Sequence, residues 1–168
     1  MFENKTVKEL IFLIKKREIS IKELNKYYLD KINILNPKLN AIVSLKDENE
    51  ILYEAEKKDE QKDESSMLFG LPIAIKDLSD VRGLPTTYGY KGTKNYLPKK
   101  NSLFVDRLIN KGIIIIGKTN TAELGVGGHT INRLFGPTSN VYDLSKSAAG
   151  SSGGASSAVA AGLIPFAD

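Results

Sequence analysis

SLFVDRLINKGIIIIGKT, Ser102 to Thr119, is the stretch from which the fold follows. Ser102–Asn110 reads as a helix, and Ile113–Ile116 is four β-branched residues in a row, a buried strand. Upstream, Leu71–Ile75 (LPIAI) is another short apolar run with the character of a strand. Strand, helix, strand with continuously apolar strands predicts an α/β fold whose sheet is covered on both faces.

The same stretch satisfies the phosphate-loop pattern GxxxxGK[ST], from Gly112 to Thr119. That motif works because a flexible glycine-rich loop wraps its amides around phosphates before a helix begins. Isoleucine at all four variable positions resists those conformations and suits a strand instead. The segment therefore reads as a strand with a glycine at each end, and nucleotide binding is rejected. The run Gly125, Gly127, Gly128 also misses the dinucleotide spacing.

Outward to the N-terminus, Thr6-Val7-Lys8-Glu9 and Ser20-Ile21-Lys22-Glu23 both have the form of a capping box. Val7, Leu10, Ile11 and Ile14 follow the first at helical spacing; Ile21, Leu24, Tyr28, Ile32 and Leu35 follow the second. The expectation is an antiparallel pair of amphipathic helices, the second ending at Asn36-Pro37, because the residue before proline is pushed from the α region. Asn40–Leu45 reads as a strand, Asp47–Lys62 as a charged third helix and Lys62–Ser66 as a polar loop. After residue 66 charge thins and Gly, Pro, Ser and Thr become frequent. The expected division is residues 1–66 as a helical segment and 67–168 as the first part of the core of one incomplete domain.

Composition narrows the classes. With 168 residues, 41% hydrophobic and 26% charged, the chain resembles an ordinary globular domain rather than a disordered or fibrous one. Its net charge is +4, and acidic and basic residues are interleaved between Lys5 and Glu64, with no basic stripe for a nucleic acid. No cysteine is present, which removes disulfides and thiolate chemistry and suits a reducing compartment. No signal peptide is visible, and no run approaches the roughly 18 apolar residues of a membrane span. The expectation is a soluble, cytoplasmic protein, and the match Asn4-Lys5-Thr6 to a glycosylation acceptor is then chance.

Three features after residue 66 can carry chemistry. Lys76 closes the apolar run Pro72–Ile75; alone, it would be read as a lysine snorkelling to the surface. Gly150-Ser151-Ser152-Gly153-Gly154 sits inside SKSAAGSSGGASSAVAAG (145–162), whose Ala158–Ala161 favours a helix. A glycine-rich turn entering a tightly packed helix accounts for that segment better than a linker. The loop Gly125–Thr138 holds Gly127, Gly128 and the only histidine, His129, which reads as an ordinary loop residue.

Taken together, Gly70–Asp77 (GLPIAIKD), Ile116–Asn120 (IGKTN), Phe135–Leu144 (FGPTSNVYDL) and Gly150–Gly154 (GSSGG) resemble the amidase signature family. The resemblance runs in order from about Thr6 to Asp168. It implies a central mixed β-sheet covered by helices on both faces, and hydrolysis of a carboxylic amide without metal or other cofactor. It also implies a Ser–Ser–Lys relay: Lys76 as base, and Ser151 as bridging serine behind a cis peptide bond from Gly150. Ser152, Gly153 and Gly154 would support that turn, and Gly127 and Gly128 are candidates for a substrate loop. A lysine with an ordinary pKa near 10.4 is protonated at neutral pH, so the relay requires burial to push Lys76 down.

By the same resemblance the nucleophilic serine lies in a glycine-rich turn beyond Asp168. The 168-residue chain is therefore expected to be inactive alone, to expose an apolar strand edge, and to self-associate or need a partner subunit. Two other readings stay open: the glutaminase subunit of a tRNA-dependent amidotransferase, and a non-catalytic remnant or interaction module. The amide substrate itself cannot be read from these residues.

Overall fold

The computed structural model describes residues 2–61 and 66–168; the expected loop at 62–66 lies, except for Ser66, outside the described residues. Helix α1 (Val7–Lys15) and helix α2 (Ile21–Leu39) begin with the capping boxes read from the sequence. In the second, Ser20 Oγ accepts from the Glu23 amide at 3.0 Å while Glu23 Oε2 accepts from the Ser20 amide at 2.9 Å. The next free amides, Ile21 and Lys22, donate to the Asp59 carboxylate at 2.7 and 3.0 Å. Asp59 belongs to α3 (Glu48–Gln61), so a neighbouring helix completes the cap.

Two expectations about this region need correction. Helix α2 does not stop at Asn36-Pro37 but continues to Leu39 and ends on Asn40, which is left-handed at φ 51°. Pro37 lies in the last turn, where it gives up one N–H bond and its ring crowds the Asn33 carbonyl, and the helix runs only two residues further. Asn36 meanwhile organises the exit: its Oδ1 accepts from the Ala41 and Ile42 amides at 3.0 and 2.9 Å, and its Nδ2 donates to Ile42 O at 2.8 Å. Nor is α1 the main partner of α2. Helix α2 packs chiefly along α3, and α1 joins it only through a small cluster of Leu10, Ile19, Leu24, Tyr28 and Leu71.

Strands β1 (Ile42–Leu45), β2 (Pro72–Lys76) and β3 (Ile114–Thr119) form a mixed sheet in the order β1-β3-β2. Strand β3 is central, antiparallel to β1 and parallel to β2, with α4 (Leu103–Asn110) in the crossover. Alternate residues face opposite ways. Ala74, Ile114 and Ile116 meet α2, α3 and α5 (Gly153–Ala160); Ile73, Ile75, Ile113 and Ile115 meet Val105 and Leu108 of α4 with Val81, Leu84 and Phe166. Both faces of the sheet are covered, as its uninterrupted apolar strands predict. A short pair, β4 (Ile131–Asn132) with β5 (Gly136–Pro137), shapes the loop that follows β3.

Strand β3 does not end at Ile116. Gly117, Lys118 and Thr119 continue it, so Gly117 is an internal strand residue. A Cβ there would lie 2.4 Å from Ser44 O, and glycine is what lets β1 approach so closely. Between Ile115 and Gly117 the register against β2 slips by one residue, a β-bulge. The slip reverses the alternation: Lys118 pairs with Ile75 and therefore faces the α4 side.

Candidate active site

Strand β2 ends by presenting Lys76, half-buried, toward the start of α5. Its Nζ lies 2.7 Å from Ser151 Oγ and 2.8 Å from Ser152 Oγ. Burial pushes the Lys76 amine below the ordinary lysine range, and the Asp168 carboxylate pulls it partly back. Asp168 also fixes the strand end, accepting the Lys76 backbone N–H at 2.8 Å.

The serine turn is built from close backbone approaches. The peptide bond between Gly150 and Ser151 is cis. The Gly150 amide donates to Gly128 O at 2.8 Å, and Ser151 O accepts from the Ala122 amide at 3.2 Å and from Thr121 Oγ1 at 3.1 Å. The Gly153 amide donates to Thr130 Oγ1 at 2.7 Å, and the Gly154 amide to Asn120 O at 3.2 Å. Side chains at these glycines have no room. A Cβ on Gly150 would sit 2.5 Å from Gly127 O, one on Gly153 2.3 Å from Thr130 Oγ1, and one on Gly154 2.3 Å from the Asn120 nitrogen. Glycine spacing thus seats Ser151 and Ser152 against the ends of β2 and β3.

Lys76, Ser151 and Ser152 come together as the sequence suggests. Gly127 and Gly128 lie exposed against the serine turn and meet it through their backbone. His129 is exposed, with Nδ1 3.0 Å from Ser147 Oγ. Among the described residues no group of His, Cys, Asp and Glu could hold a metal ion, and no helix is long and apolar enough to cross a membrane.

Two sets of polar residues escaped the sequence reading. Asn120 and Asn132 form a buried hub: Asn132 Nδ2 donates to Asn120 Oδ1 at 2.7 Å, and Asn120 Nδ2 donates to Thr138 Oγ1 at 3.0 Å. Asn132 Oδ1 accepts from the Leu134 and Phe135 amides at 3.0 and 2.7 Å, so the hub holds the loop that carries Gly127 and Gly128. The other set is the buried pair Lys118 and Asp77. Asn120, Lys118 and Asp77 stand in the motifs IGKTN and GLPIAIKD, which do not tell which face each takes, and Asn132 lies in neither.

Comparison with known proteins identifies the family. A family model described as Amidase matches residues 23–168. A glutamyl-tRNA(Gln) amidotransferase subunit of Caldanaerobacter subterraneus subsp. tengcongensis is 42% identical over 96% of this chain and 33% of its own length. An acylamidase of Rhodococcus erythropolis is 41% identical over 95% of this chain and 34% of its own. The crystal structure of a bacterial aryl acylamidase belonging to the amidase signature enzymes superposes with a TM-score of 0.88 at 32% identity, covering 97% of this chain and 34% of that one. The chain spans about a third of the length of the curated relatives it matches. It belongs to the amidase signature family.

Proposed function

We propose that Lys76 and Ser151 are the base and the bridging serine of an amide hydrolase. The observation that carries the reading is the 2.7 Å contact between Lys76 Nζ and Ser151 Oγ, with Lys76 half-buried. A neutral amine has one lone pair and two N–H donors. In this reading the lone pair accepts the Ser151 proton, and one N–H donates to Ser152 Oγ, 2.8 Å away, which aims the lone pair. Ser151 in turn takes the proton of an attacking serine, which adds to the amide carbonyl. The relay then runs backwards, protonating the departing amine and leaving an acyl-enzyme for water to cleave. In this reading the attacking serine comes from a turn in the two thirds of its relatives' length that this chain does not span.

The test is kinetic, on a protein in which this chain is joined to that turn. Lys76→Ala and Ser151→Ala should each lower kcat for a simple amide by about 10²–10⁴-fold. The 168 residues alone should hydrolyse none. Undiminished turnover in Lys76→Ala, at matched folding, would refute the assignment.

A glutaminase role within a larger assembly is the second reading, favoured by the 42% identity to one component of an amidotransferase. The acylamidase relative is almost as similar, at 41%, and a general amidase needs no partner. Ammonia released from glutamine only in the presence of other subunits would select the glutaminase. Hydrolysis of small amides by the protein alone would select the general amidase. A non-catalytic interaction module would do neither.

A further inference from the structure

Lys118 and Asp77 are wholly buried, and the relay uses neither. They lie on the α4 face of the sheet, opposite the serine turn, because of the bulge in β3. Burying two ions costs more than burying an apolar pair of similar volume, so stability alone gives little reason to keep them. Their bonds supply a reason. Lys118 Nζ donates to Ser79 O at 2.7 Å and to Thr86 Oγ1 at 2.9 Å, with Asp77 Oδ1 at 3.5 Å. The Asp77 carboxylate also accepts from the Thr87 amide at 3.0 Å and from Thr87 Oγ1. The Ser79 and Leu78 amides donate to Lys76 O at 3.0 and 2.7 Å. An unbroken chain of bonds thus runs from Lys118 through Ser79 to the backbone of Lys76.

We propose that Lys118 is a positioning residue: by clamping the turn Lys76–Ser79 from the far face of the sheet, it holds the Lys76 amine against Ser151. This rests on the proposed role of Lys76. The GKT lysine of a phosphate-loop pattern here grips a protein turn. Asp77 supplies the counter-charge and ties the same turn to the loop at Thr87 and Tyr88.

Lysine labelled with ¹³C at Cε reports on Lys76 by NMR without turnover, with Lys76→Arg assigning the resonance. Charged groups acting on the two amines are Asp168 for Lys76, and Asp77, Asp80 and Asp168 for Lys118. All stay in place in Lys118→Met and in Thr86→Val. In both variants the Lys76 resonance should leave its wild-type position, and its titration midpoint should rise toward the ordinary value of about 10.4 as the amine regains water. Circular dichroism checks that the fold is kept. If Lys118→Met does not fold, Thr86→Val decides alone, since it removes one hydroxyl and no charge. Folded variants whose Lys76 resonance and midpoint coincide with wild type would overturn the proposal. Absence of amide hydrolysis by the protein in which this chain is joined to the turn bearing the attacking serine would count against the proposed function and leave this result standing.

Discussion

Lys76 can accept a proton only while its amine is uncharged, and its surroundings decide when that is. Burial lowers its pKa, so the rising limb of the pH–rate profile should lie below the ordinary lysine range. Asp168→Asn removes the opposing charge and should move that limb to lower pH still; a limb that stays put would show Asp168 to be a backbone anchor only. The stability sign follows from the same shift. Between the folded and the ordinary lysine pKa the unfolded chain binds more protons, so this group makes stability rise with pH across that window. Below the folded pKa the protonated amine stays buried, and the penalty is fully present. Gly154→Ala tests the other half of the site. Its Cβ would lie 2.3 Å from the Asn120 nitrogen and 2.4 Å from Asn120 O, backbone that cannot yield cheaply. A loss of about 1–3 kcal/mol is expected in urea denaturation. At this scale the sequence is legible where a motif suggests a role. Lys76 and Ser151 could be named before any coordinates, whereas Lys118 could not, because only the bulge reveals which face it takes.

Secondary structure elements were read best where their ends are chemical. Both capping boxes start helices where Thr6 and Ser20 stand, and Ser102 caps α4, accepting the Val105 amide. The end of α2 lies past Pro37 because the disruption falls in the last turn, where Asn36 and Asn40 complete the exit through partners that follow the helix. Asp59 had no sequence signal at all, since its role depends on α3 lying beside the start of α2. Ser20→Ala and Asp59→Ala should each cost about 1 kcal/mol in urea denaturation, the usual worth of an N-cap. An Asp59→Ala protein as stable as wild type would mean that water replaces the carboxylate.

The fold class of the whole molecule was legible because Pro72–Ile75 and Ile113–Ile116 are continuously apolar, as the strands of a doubly covered sheet are. The register was not, because the bulge depends on how closely β1 approaches Gly117. Ile114→Ala empties a wholly buried position on the central strand and should cost about 2–5 kcal/mol. Phe104, Leu97, Leu103, Val126 and Tyr142 stay exposed, Val126 at 83% and Tyr142 at 89%. The 168-residue chain should accordingly self-associate, with an elution volume on size exclusion that depends on concentration. A monodisperse monomer at all concentrations would contradict this.

All of these scales meet in the ionisation of one amine. An NMR titration of ¹³Cε-labelled lysine in the wild-type protein reads it directly. The Lys76 resonance should titrate below the exposed lysines, and Ser151→Ala should displace it. Titration together with the exposed lysines, and indifference to Ser151→Ala, would contradict the account.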